Sequence, residues 1–256
     1  MSLLRFVYFK DVRYTFEIRS QLSMSLELKK IKLIAFDWDG TLINSLDEVI
    51  QAFQKTCEYY DMPIPDKNAI RQNIGLGHDD IWARLRESMG SGFKIPKREV
   101  FWKQFYGYYR PDKVNVFDGV KESLHTLIDH GIGLAIVTNK PSFSFLPEVN
   151  AMGLRTYFLD CLCADQYVEK PDPMMLRVLS ARQNITANNI LMVGDTTFDL
   201  DAANAFGCQG IGVTCGNMNE QELLTSKPAI VFKNINELAK MIEEVHPLVG
   251  ELDPAY

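Results

Sequence analysis

The sequence predicts an α/β fold in which a parallel sheet, covered by helices, carries an all-helical insertion near its start. Strand-like apolar runs alternate with helical patterns from residue 116 onward, which is typical of a parallel sheet with helices on both faces. Residues 45–115 contain only helical patterns, and an insertion of that size is a domain rather than a loop. The first strand, at residues 32–37, ends in two acids one residue apart.

The composition limits the classes of protein to which the chain can belong. The chain has 256 residues and a net charge of −6, a length that can bury a sizeable core in one large or two modest domains. The absence of a Lys/Arg block argues against a nucleic-acid partner, and no apolar run approaches the roughly 20 residues of a membrane span. The five cysteines are odd in number and lack zinc-like spacing, so we expect reduced, mostly buried thiols in a cytoplasmic protein.

Residues 1–30 are interpreted as an N-terminal extension. Residues 12–18 alternate apolar and polar side chains, which is typical of a strand with one solvent-facing side. Charged residues interrupt any signal-peptide pattern. Two interpretations remain open: a strand that pairs with a sheet edge or a partner, or an upstream extension of a chain that begins at Met24. At the other end, residues 247–256 are predicted to be a C-terminal tail.

The predicted cap, residues 45–115, contains four helical patterns. Ser45 and Glu48 match a capping box that opens the first helix, which ends near residue 60. Asp66 is predicted to cap a second helix that reaches about residue 74. The third spans residues 79–89, before the break at 90–92, and the fourth runs to residue 109 with Pro96 in its first turn.

The predicted core, residues 31–44 and 116–246, carries the alternating pattern. After the first strand, further strands are predicted at residues 134–137, 161–163, 190–193, 210–213 and 229–232. Helices between them end at Gly131, Gly153 and Gly207, since glycine is common just after a helix end. Asp172 is predicted to cap another helix with Pro173 at its first position, and a last helix starts near residue 236.

Polar residues lie at the ends of these strands or in the loops that follow. They are Asp37 and Asp39, Thr138 and Asn139, Lys170, and Asp195 with Asp199. Right-handed crossovers bring the carboxyl ends of parallel strands to one edge of the sheet, where ligands collect. Two acids at the end of a buried strand are costly unless something positive lies beside them. A metal ion with a phosphorylated ligand is the simplest arrangement that removes this cost.

These four sets, in this order, resemble the haloacid dehalogenase superfamily of phosphatases. The matching pieces are Asp37-Trp38-Asp39-Gly40-Thr41, Thr138-Asn139, Lys170-Pro171 and Gly194-Asp195-Thr196-Thr197-Phe198-Asp199. The resemblance covers about residues 31–245, and the run from Lys170 to Leu176 is similar to the phosphoglycolate phosphatase-like branch with an inserted helical (C1-type) cap. It implies a Rossmann-like parallel core with an all-helical cap.

The resemblance also implies a catalytic set with Mg²⁺ as cofactor. Asp37 would be the nucleophile that forms an aspartyl-phosphate, and Asp39 the general acid and base. Mg²⁺ would be bound by the Asp37 carboxylate, the Asp39 backbone carbonyl and the Asp195 carboxylate. The second acid, Asp39, argues against a dehalogenase.

The remaining matched residues would bind the phosphate or support the set. Gly40, Thr138 and Asn139 would hold phosphate oxygens, and Lys170 would act both in catalysis and in phosphate binding. Asp199 would orient a metal-bound water or Lys170. For Thr138 and Asp199 a second interpretation stays open, in which each only caps a helix.

The loop of residues 75–78 is predicted to reach from the cap into the site, because its glycines allow sharp turns. Gly75, Gly77 and His78 are the candidate specificity residues. Arg71, His78 and Arg84 are candidate ligands for a second anionic group, although cap arginines are more often solvated. Lys140, next to Asn139, is predicted to be a surface residue.

The expected function is Mg²⁺-dependent hydrolysis of a small phosphorylated metabolite, either phosphoglycolate-like or a sugar phosphate. One alternative is a phosphosugar mutase, in which the phosphorylated aspartate passes its phosphoryl group to a sugar instead of water. A second alternative is a non-catalytic binding or scaffold protein on the same fold. A monomer and a homodimer are both compatible with the sequence.

Overall fold

The structure is a computed structural model that describes residues 28–89, 94, 96–246 and 248, with the backbone alone for 79, 85, 86, 88 and 89. Three predictions fall on residues outside that part of the chain. They are the strand at residues 12–18, the break at 90–92 and most of the C-terminal tail. The interpretation of residues 1–30 as an extension and the predicted domain limits stay predictions.

Eight strands lie in the described residues. They are β1 (Leu33–Phe36), β2 (Ile43–Asn44), β3 (Asn115–Val116), β4 (Gly133–Thr138), β5 (Asp160–Cys163), β6 (Ile190–Gly194), β7 (Gln209–Val213) and β8 (Ile230–Phe232). Six of them form one parallel sheet in the order β5-β4-β1-β6-β7-β8. The strand order runs outward in both directions from β1, which therefore lies at a topological switch point, the usual ligand position in such sheets.

Ten α-helices lie in the same part of the chain. They are α1 (Leu46–Tyr59), α2 (Lys67–Arg71), α3 (His78–Met89), α4 (Arg98–Tyr108), α5 (Val120–Asp129), α6 (Ser142–Ala151), α7 (Met174–Gln183), α8 (Thr197–Phe206), α9 (Glu220–Leu224) and α10 (Ile235–Val245). The first four lie between β2 and β3. None of these helices has the length and apolarity that crossing a lipid bilayer requires. The predicted α/β class with a parallel sheet is confirmed.

Both faces of the sheet are buried. Alternate residues of β1 point to opposite faces, and they belong to two different apolar clusters. Ile34 and Phe36 join the cluster that includes α5, α10 and the helices between β2 and β3. Leu33 and Ala35 join the cluster formed with α7 and α8. Continuous apolar strands are what such a two-sided burial requires.

The two shortest strands join the inserted helices to the core. β2 and β3 pair antiparallel, with Ile43 opposite Val116 and Asn44 opposite Asn115. Just beyond this ribbon the Phe117 N–H donates to the Leu42 carbonyl over 3.1 Å. The chain therefore leaves the core and returns to it at adjacent positions. The ribbon was not predicted, since each strand has only two residues.

The first residues of two helices show which cap predictions depend on local contacts and which are overridden by contacts between distant residues. Asp66 caps α2 as predicted, because its carboxylate accepts a hydrogen bond of 2.8 Å from the Ala69 N–H. The predicted capping box of Ser45 and Glu48 is wrong, since the Ser45 side chain makes no capping bond. The Glu48 carboxylate instead accepts from the Arg110 N–H over 3.1 Å.

Two prolines that were predicted to lie in the first turn of a helix lie just before the helix instead. Residue 97 is extended, so α4 starts at residue 98 and Pro96 precedes it. Pro173 is the cap residue of α7, and the Asp172 carboxylate accepts from the Met174 N–H over 2.8 Å. The placement of Pro96 and Pro173 in the first helical turn is therefore wrong by one or two residues.

Candidate active site

The carboxyl edge of the sheet holds the predicted acids. Asp37 follows β1 directly, and its N–H still donates to the Val193 carbonyl of β6 over 2.9 Å. Thr138 is the last residue of β4, and Asp195 follows β6 directly. The parallel register of these three neighbouring strands brings their ends together in space, as predicted.

Lys170 lies at the centre of this group. Its ammonium donates to the carboxylates of Asp37 (2.7 Å) and Asp199 (2.6 Å) and to the Val137 carbonyl (2.8 Å). These three acceptors satisfy the three donors of an ammonium group. Burial opposes the charged form, but Asp199 and Asp37 outweigh it and raise the pKa of Lys170. Lys170 is therefore a fixed positive charge beside Asp37.

Three buried carboxylates share this centre. One oxygen from each of Asp37, Asp195 and Asp199 lies within 4.8 Å of the others. Burial raises the pKa of Asp37 to about 6 in spite of Lys170, and burial with the charges of Asp37 and Asp199 raises the pKa of Asp195 well above its usual range. Three acids against one lysine leave an excess of negative charge. Such a set of oxygen ligands fits a hard divalent cation.

Asp195 is held in place by residues from two parts of the chain, the turn after β1 and the loop after β7. Its Oδ1 accepts from the Thr41 hydroxyl over 2.9 Å, and its Oδ2 from the Asn217 N–H over 2.7 Å. A Cβ at Gly40 or at Gly216 would collide with the Asp195 carboxylate. Gly216 and Asn217 were not predicted, because a glycine in a loop after β7 carries no signal of what packs on it.

Thr138 makes a local contact, whereas Asn139 contacts residues far away in sequence. The Thr138 hydroxyl accepts from the Lys140 N–H over 3.1 Å. The Asn139 amide donates to the carbonyls of Gly75 (2.9 Å) and Lys170 (3.0 Å), and its oxygen accepts from the Lys170 N–H over 2.8 Å. The Asn139 side chain thus ties the cap loop to the loop of Lys170. Phosphate binding by these two residues stays a prediction.

Asp199 both binds Lys170 and caps a helix, which are the two interpretations that the sequence left open. Its Oδ1 accepts from Lys170, while its Oδ2 accepts from the Thr196 N–H (3.0 Å) and hydroxyl (2.7 Å) at the start of α8. The helix start therefore fixes the carboxylate that in turn fixes Lys170.

Lys140 contradicts its prediction as a surface residue, because it is buried. Its ammonium lies 3.1 Å from an Asp39 oxygen, 3.0 Å from a Glu148 oxygen and 3.0 Å from the Tyr109 hydroxyl. Burial opposes its charge, but Asp39, Tyr109 and Glu148 together hold its pKa well above the usual value. Tyr109 comes from the inserted helices and Glu148 from the middle of the next helix, α6, so no local pattern revealed the contacts.

Glu148 completes this second buried ionic group. It accepts a hydrogen bond of 3.0 Å from the Trp38 indole N–H on the same oxygen that faces Lys140. Burial raises the pKa of Glu148 despite Lys140. Its other oxygen has no hydrogen-bond partner among the described residues. Sequence reasoning missed Glu148 entirely.

A chamber of about 380 Å³ lies between the inserted helices and the sheet edge. Asp37, Asp39 and Thr138 line it on the side of the sheet. Aromatic side chains of the cap line the other side; they are Phe53, Trp102, Phe105, Tyr106 and Tyr109. A concave, largely apolar space with a few converging polar groups is typical of a small-molecule site.

The candidate specificity residues differ in their surroundings. Gly75 and His78 line the chamber, whereas a Cβ at Gly77 would collide with the Glu169 carboxylate, which therefore packs against it. His78 stacks on Trp102 with ring centroids 3.9 Å apart. Burial, with smaller contributions from Arg98 and Lys140, lowers the pKa of His78 to about 4, so at neutral pH it is an uncharged ring.

The two candidate arginines also differ. The Arg71 guanidinium donates to the Asn217 carbonyl over 2.7 Å, and Asn217 returns a bond of 2.8 Å to the Arg71 carbonyl. Arg84 lines the chamber and contacts Asn73 over 3.5 Å. Arg71 therefore joins the cap to the core, and Arg84 is the arginine that faces the chamber.

Comparison with known proteins agrees with this geometry. The family model of haloacid dehalogenase-like hydrolases matches residues 34–213. A phosphoglycolate phosphatase of Vibrio parahaemolyticus is 34% identical over 221 residues, which cover 83% of this chain and 96% of that protein. The phosphoglycolate phosphatase of Vibrio cholerae is 31% identical, with 84% and 98% covered. The crystal structure of a predicted phosphoglycolate phosphatase from Haemophilus somnus superposes with a TM-score of 0.76 at 29% identity, covering 83% of this chain and 98% of that chain.

The match spans more than half of the chain and includes the acids after β1 and β6 and the polar residues after β4. The relatives are matched over nearly their whole length, and the solved structure shares the fold of the sheet and its helices. The predicted resemblance is confirmed. This chain belongs to the haloacid dehalogenase-like hydrolase family, and within it the chain is a phosphatase, a phosphoric monoester hydrolase.

Proposed function

We propose that this phosphatase hydrolyses a small phosphorylated metabolite in a Mg²⁺-dependent reaction, through an aspartyl-phosphate on Asp37. The observation that carries the proposal is the position of Asp37. It lines the chamber, its Oδ1 is bound to the ammonium of Lys170, and the Asp195 carboxylate lies in the same cluster. A nucleophile, a cation and oxygen ligands for a metal ion therefore meet where a substrate can enter.

In the first step the free oxygen of Asp37 attacks phosphorus, and the bond from phosphorus to the leaving oxygen breaks. Asp39 donates a proton to that oxygen, so the organic group leaves as an alcohol. In the second step Asp39 takes a proton from water, and the water oxygen attacks phosphorus. The bond to Asp37 then breaks and releases phosphate. Lys170 offsets the negative charge on Asp37 and the phosphoryl group.

The residues that would hold Mg²⁺ are the Asp37 and Asp195 carboxylates and the Asp39 backbone carbonyl. The ion would supply positive charge that reduces repulsion between an anionic nucleophile and an anionic substrate. Asp199 would act indirectly, since its oxygens are bound by Lys170 and Thr196.

The proposed substrate is a small phosphomonoester, with phosphoglycolate first because the two Vibrio relatives are phosphoglycolate phosphatases. Sugar phosphates come next, because a chamber of about 380 Å³ also accommodates larger organic groups. Gly40 and the backbone of Asn139, with Thr138, are proposed to hold the phosphate. We place the protein in the cytoplasm, in keeping with its five free cysteines.

Phosphate release over a panel of phosphorylated metabolites, with Mg²⁺ and with EDTA, tests this proposal. We expect activity that EDTA removes and added Mg²⁺ restores. Asp37→Asn should lower turnover at least about 10³-fold, because the nucleophile is lost, while the exposed Asp201→Asn keeps it. Parental turnover in Asp37→Asn would refute the mechanism. An isomerised sugar phosphate formed without free phosphate would show a mutase instead.

A further inference from the structure

Lys140, Glu148, Tyr109 and Trp38 form a buried group behind Asp39, called here the Asp39 support. The three donors of the Lys140 ammonium are directed to Asp39 (3.1 Å), Glu148 (3.0 Å) and Tyr109 (3.0 Å). The Trp38 indole N–H fixes the Glu148 oxygen over 3.0 Å. The Lys140 and Glu148 side chains are 6% and 0% exposed, against 21% for Asp39. Lys140 and Tyr109 also line the chamber, but Asp39 is the most exposed of these side chains.

The Asp39 support is not explained by stability. Moving a lysine and a glutamate out of water is costly, and apolar residues of the same volume often replace such pairs without loss of stability. Trp38, which donates to Glu148, is itself fixed: it is fully buried and packs edge-to-face on Phe145, with ring centroids 5.1 Å apart. The result is a fixed arrangement in which the Asp39 carboxylate is the most exposed group.

A carboxylate on a two-carbon side chain turns easily about its last bond, since that torsion has a broad energy minimum. A general acid must point its proton at the leaving oxygen within hydrogen-bond reach. The Lys140 ammonium holds Asp39 Oδ1, which leaves the other oxygen, Oδ2, to face the substrate. The group therefore has the geometry to orient the acid.

We propose that Lys140, held by Glu148 and Tyr109, is a positioning residue that orients the Asp39 carboxylate toward the leaving group. This inference rests on the proposed function, in which Asp39 protonates the leaving oxygen and later deprotonates water. It assigns Glu148 to the same task through Lys140, with the Trp38 N–H as its anchor.

The test compares leaving groups. An alkyl phosphate such as ethyl phosphate needs a proton on its leaving oxygen, whereas 4-nitrophenyl phosphate releases a stable phenolate without one. In Lys140→Met, which keeps the length of the side chain, we expect kcat/KM for ethyl phosphate to fall about tenfold or more, a part of the roughly 10²–10⁴-fold that general acids supply. The value for 4-nitrophenyl phosphate should fall less than about threefold, because that reaction does not draw on the acid.

Three further variants sharpen the comparison. Lys140→Met/Glu148→Gln removes both charges together, so that no buried carboxylate is left without a partner if the single variant fails to fold. In an Asp39→Asn background, Lys140→Met should add no further loss that is specific to ethyl phosphate, since coupled residues are not additive. The exposed Lys121→Met is the matched control and should leave both substrates unchanged.

The outcomes distinguish a role of Lys140 in positioning Asp39 from a role in binding the substrate. A loss that is larger for ethyl phosphate in both Lys140 variants, and absent in the Asp39→Asn background, supports positioning of Asp39. Equal losses on ethyl and 4-nitrophenyl phosphate overturn the proposal, as does a loss larger for phosphoglycolate than for ethyl phosphate, which would make Lys140 a ligand of the substrate carboxylate. Failure of the proposed function is seen separately, as parental turnover in Asp37→Asn.

Discussion

Several side chains that line the chamber have pKa values far from their usual range, mainly because they are buried. His78 is the clearest case, since it lies under the cap, stacked on Trp102 and hydrogen-bonded to the Tyr106 hydroxyl over 2.9 Å. Burial lowers its pKa from 6.5 to about 4. The folded protein therefore keeps this ring neutral at a pH where the unfolded chain protonates it.

This difference makes the stability of the protein depend on pH. Between pH 6.5 and about 4 the unfolded chain binds a proton on His78 that the folded chain does not, so acid favours unfolding. Over that interval His78 should remove about 3 kcal/mol of the free energy of unfolding. In His78→Gln that part of the pH dependence should be absent. Urea unfolding of both proteins from pH 7 to pH 4 measures the difference, and parallel curves would contradict it.

Gly40 gives a second prediction for a single residue. Its φ of +81° lies in the left-handed region, and a Cβ would collide with the Asp195 carboxylate. Gly40→Ala should displace that carboxylate and lower kcat by about 10²-fold, the loss typical of small misplacements.

Gly153→Ala is the matched control, because Gly153 has a φ of +69° but open space around it. It should lose about 1–2 kcal/mol of stability from backbone strain and keep its activity. Equal kcat values for Gly40→Ala and Gly153→Ala would show that the contact with Asp195 has no catalytic importance.

Two lysines show what could be predicted for single residues. Lys170 precedes a proline in a run that resembles a known family, and the prediction that it lies with Asp37 agrees with its position. Lys140 follows Asn139 directly, yet its partners Glu148 and Tyr109 come from a later helix and from the cap. Contacts of that kind are set by tertiary packing, so neither spacing nor periodicity could reveal them.

At the scale of elements, local chemistry decided some helix starts and tertiary contacts decided others. Asp66 bonds to an N–H three residues away, a contact that depends on sequence spacing alone and was predicted. Glu48 is drawn instead to the N–H of Arg110, where the chain leaves the cap. Strands were predicted from their apolar runs, while the ribbon of β2 and β3 depends on pairing across the whole insertion.

Helix α2 should be sensitive to the loss of its cap, since it has only five residues. Asp66→Ala should lower the free energy of unfolding by about 1 kcal/mol, the usual value of such a cap. Asp66→Asn keeps an acceptor oxygen and should cost much less. Chemical unfolding gives both values, and hydrogen exchange of the α2 amides shows whether the loss is local. Equal losses in the two variants would exclude capping as the cause.

At the scale of the molecule, the cap and the core are joined above the proposed metal site. Asn217 and Arg71 exchange hydrogen bonds in both directions, while the Asn217 N–H donates to Asp195. Asn139 binds the Gly75 carbonyl of the cap loop. Movement of the cap is therefore coupled to the residues that hold the acids.

Asn217→Ala should loosen this contact without removing the backbone donor to Asp195. We expect a higher KM with little change in kcat, and faster hydrogen exchange in residues 72–77, because the loop loses a bond to the core. Asn204→Ala is the control, since its amide also bonds to a backbone carbonyl, that of Ser226, away from the cap. Unchanged exchange in Asn217→Ala would show that the other contacts suffice to hold the cap.

The α/β class and the convergence of acids at one sheet edge followed from the order of apolar runs, because the handedness of crossovers leaves few arrangements. The side-chain contacts between cap and core did not follow, since they join residues far apart in sequence.

The β2 and β3 ribbon has one more consequence. Because the chain departs and re-enters through paired neighbours, Asn44 and Asn115, the helices between them form a cassette attached at a single joint. Insertions, deletions or wholesale exchange of that cassette leave the register of the six-stranded sheet untouched. Evolution, or an engineer, can therefore change which molecules are admitted, provided that the contacts of Tyr109 and Arg71 with the core are kept.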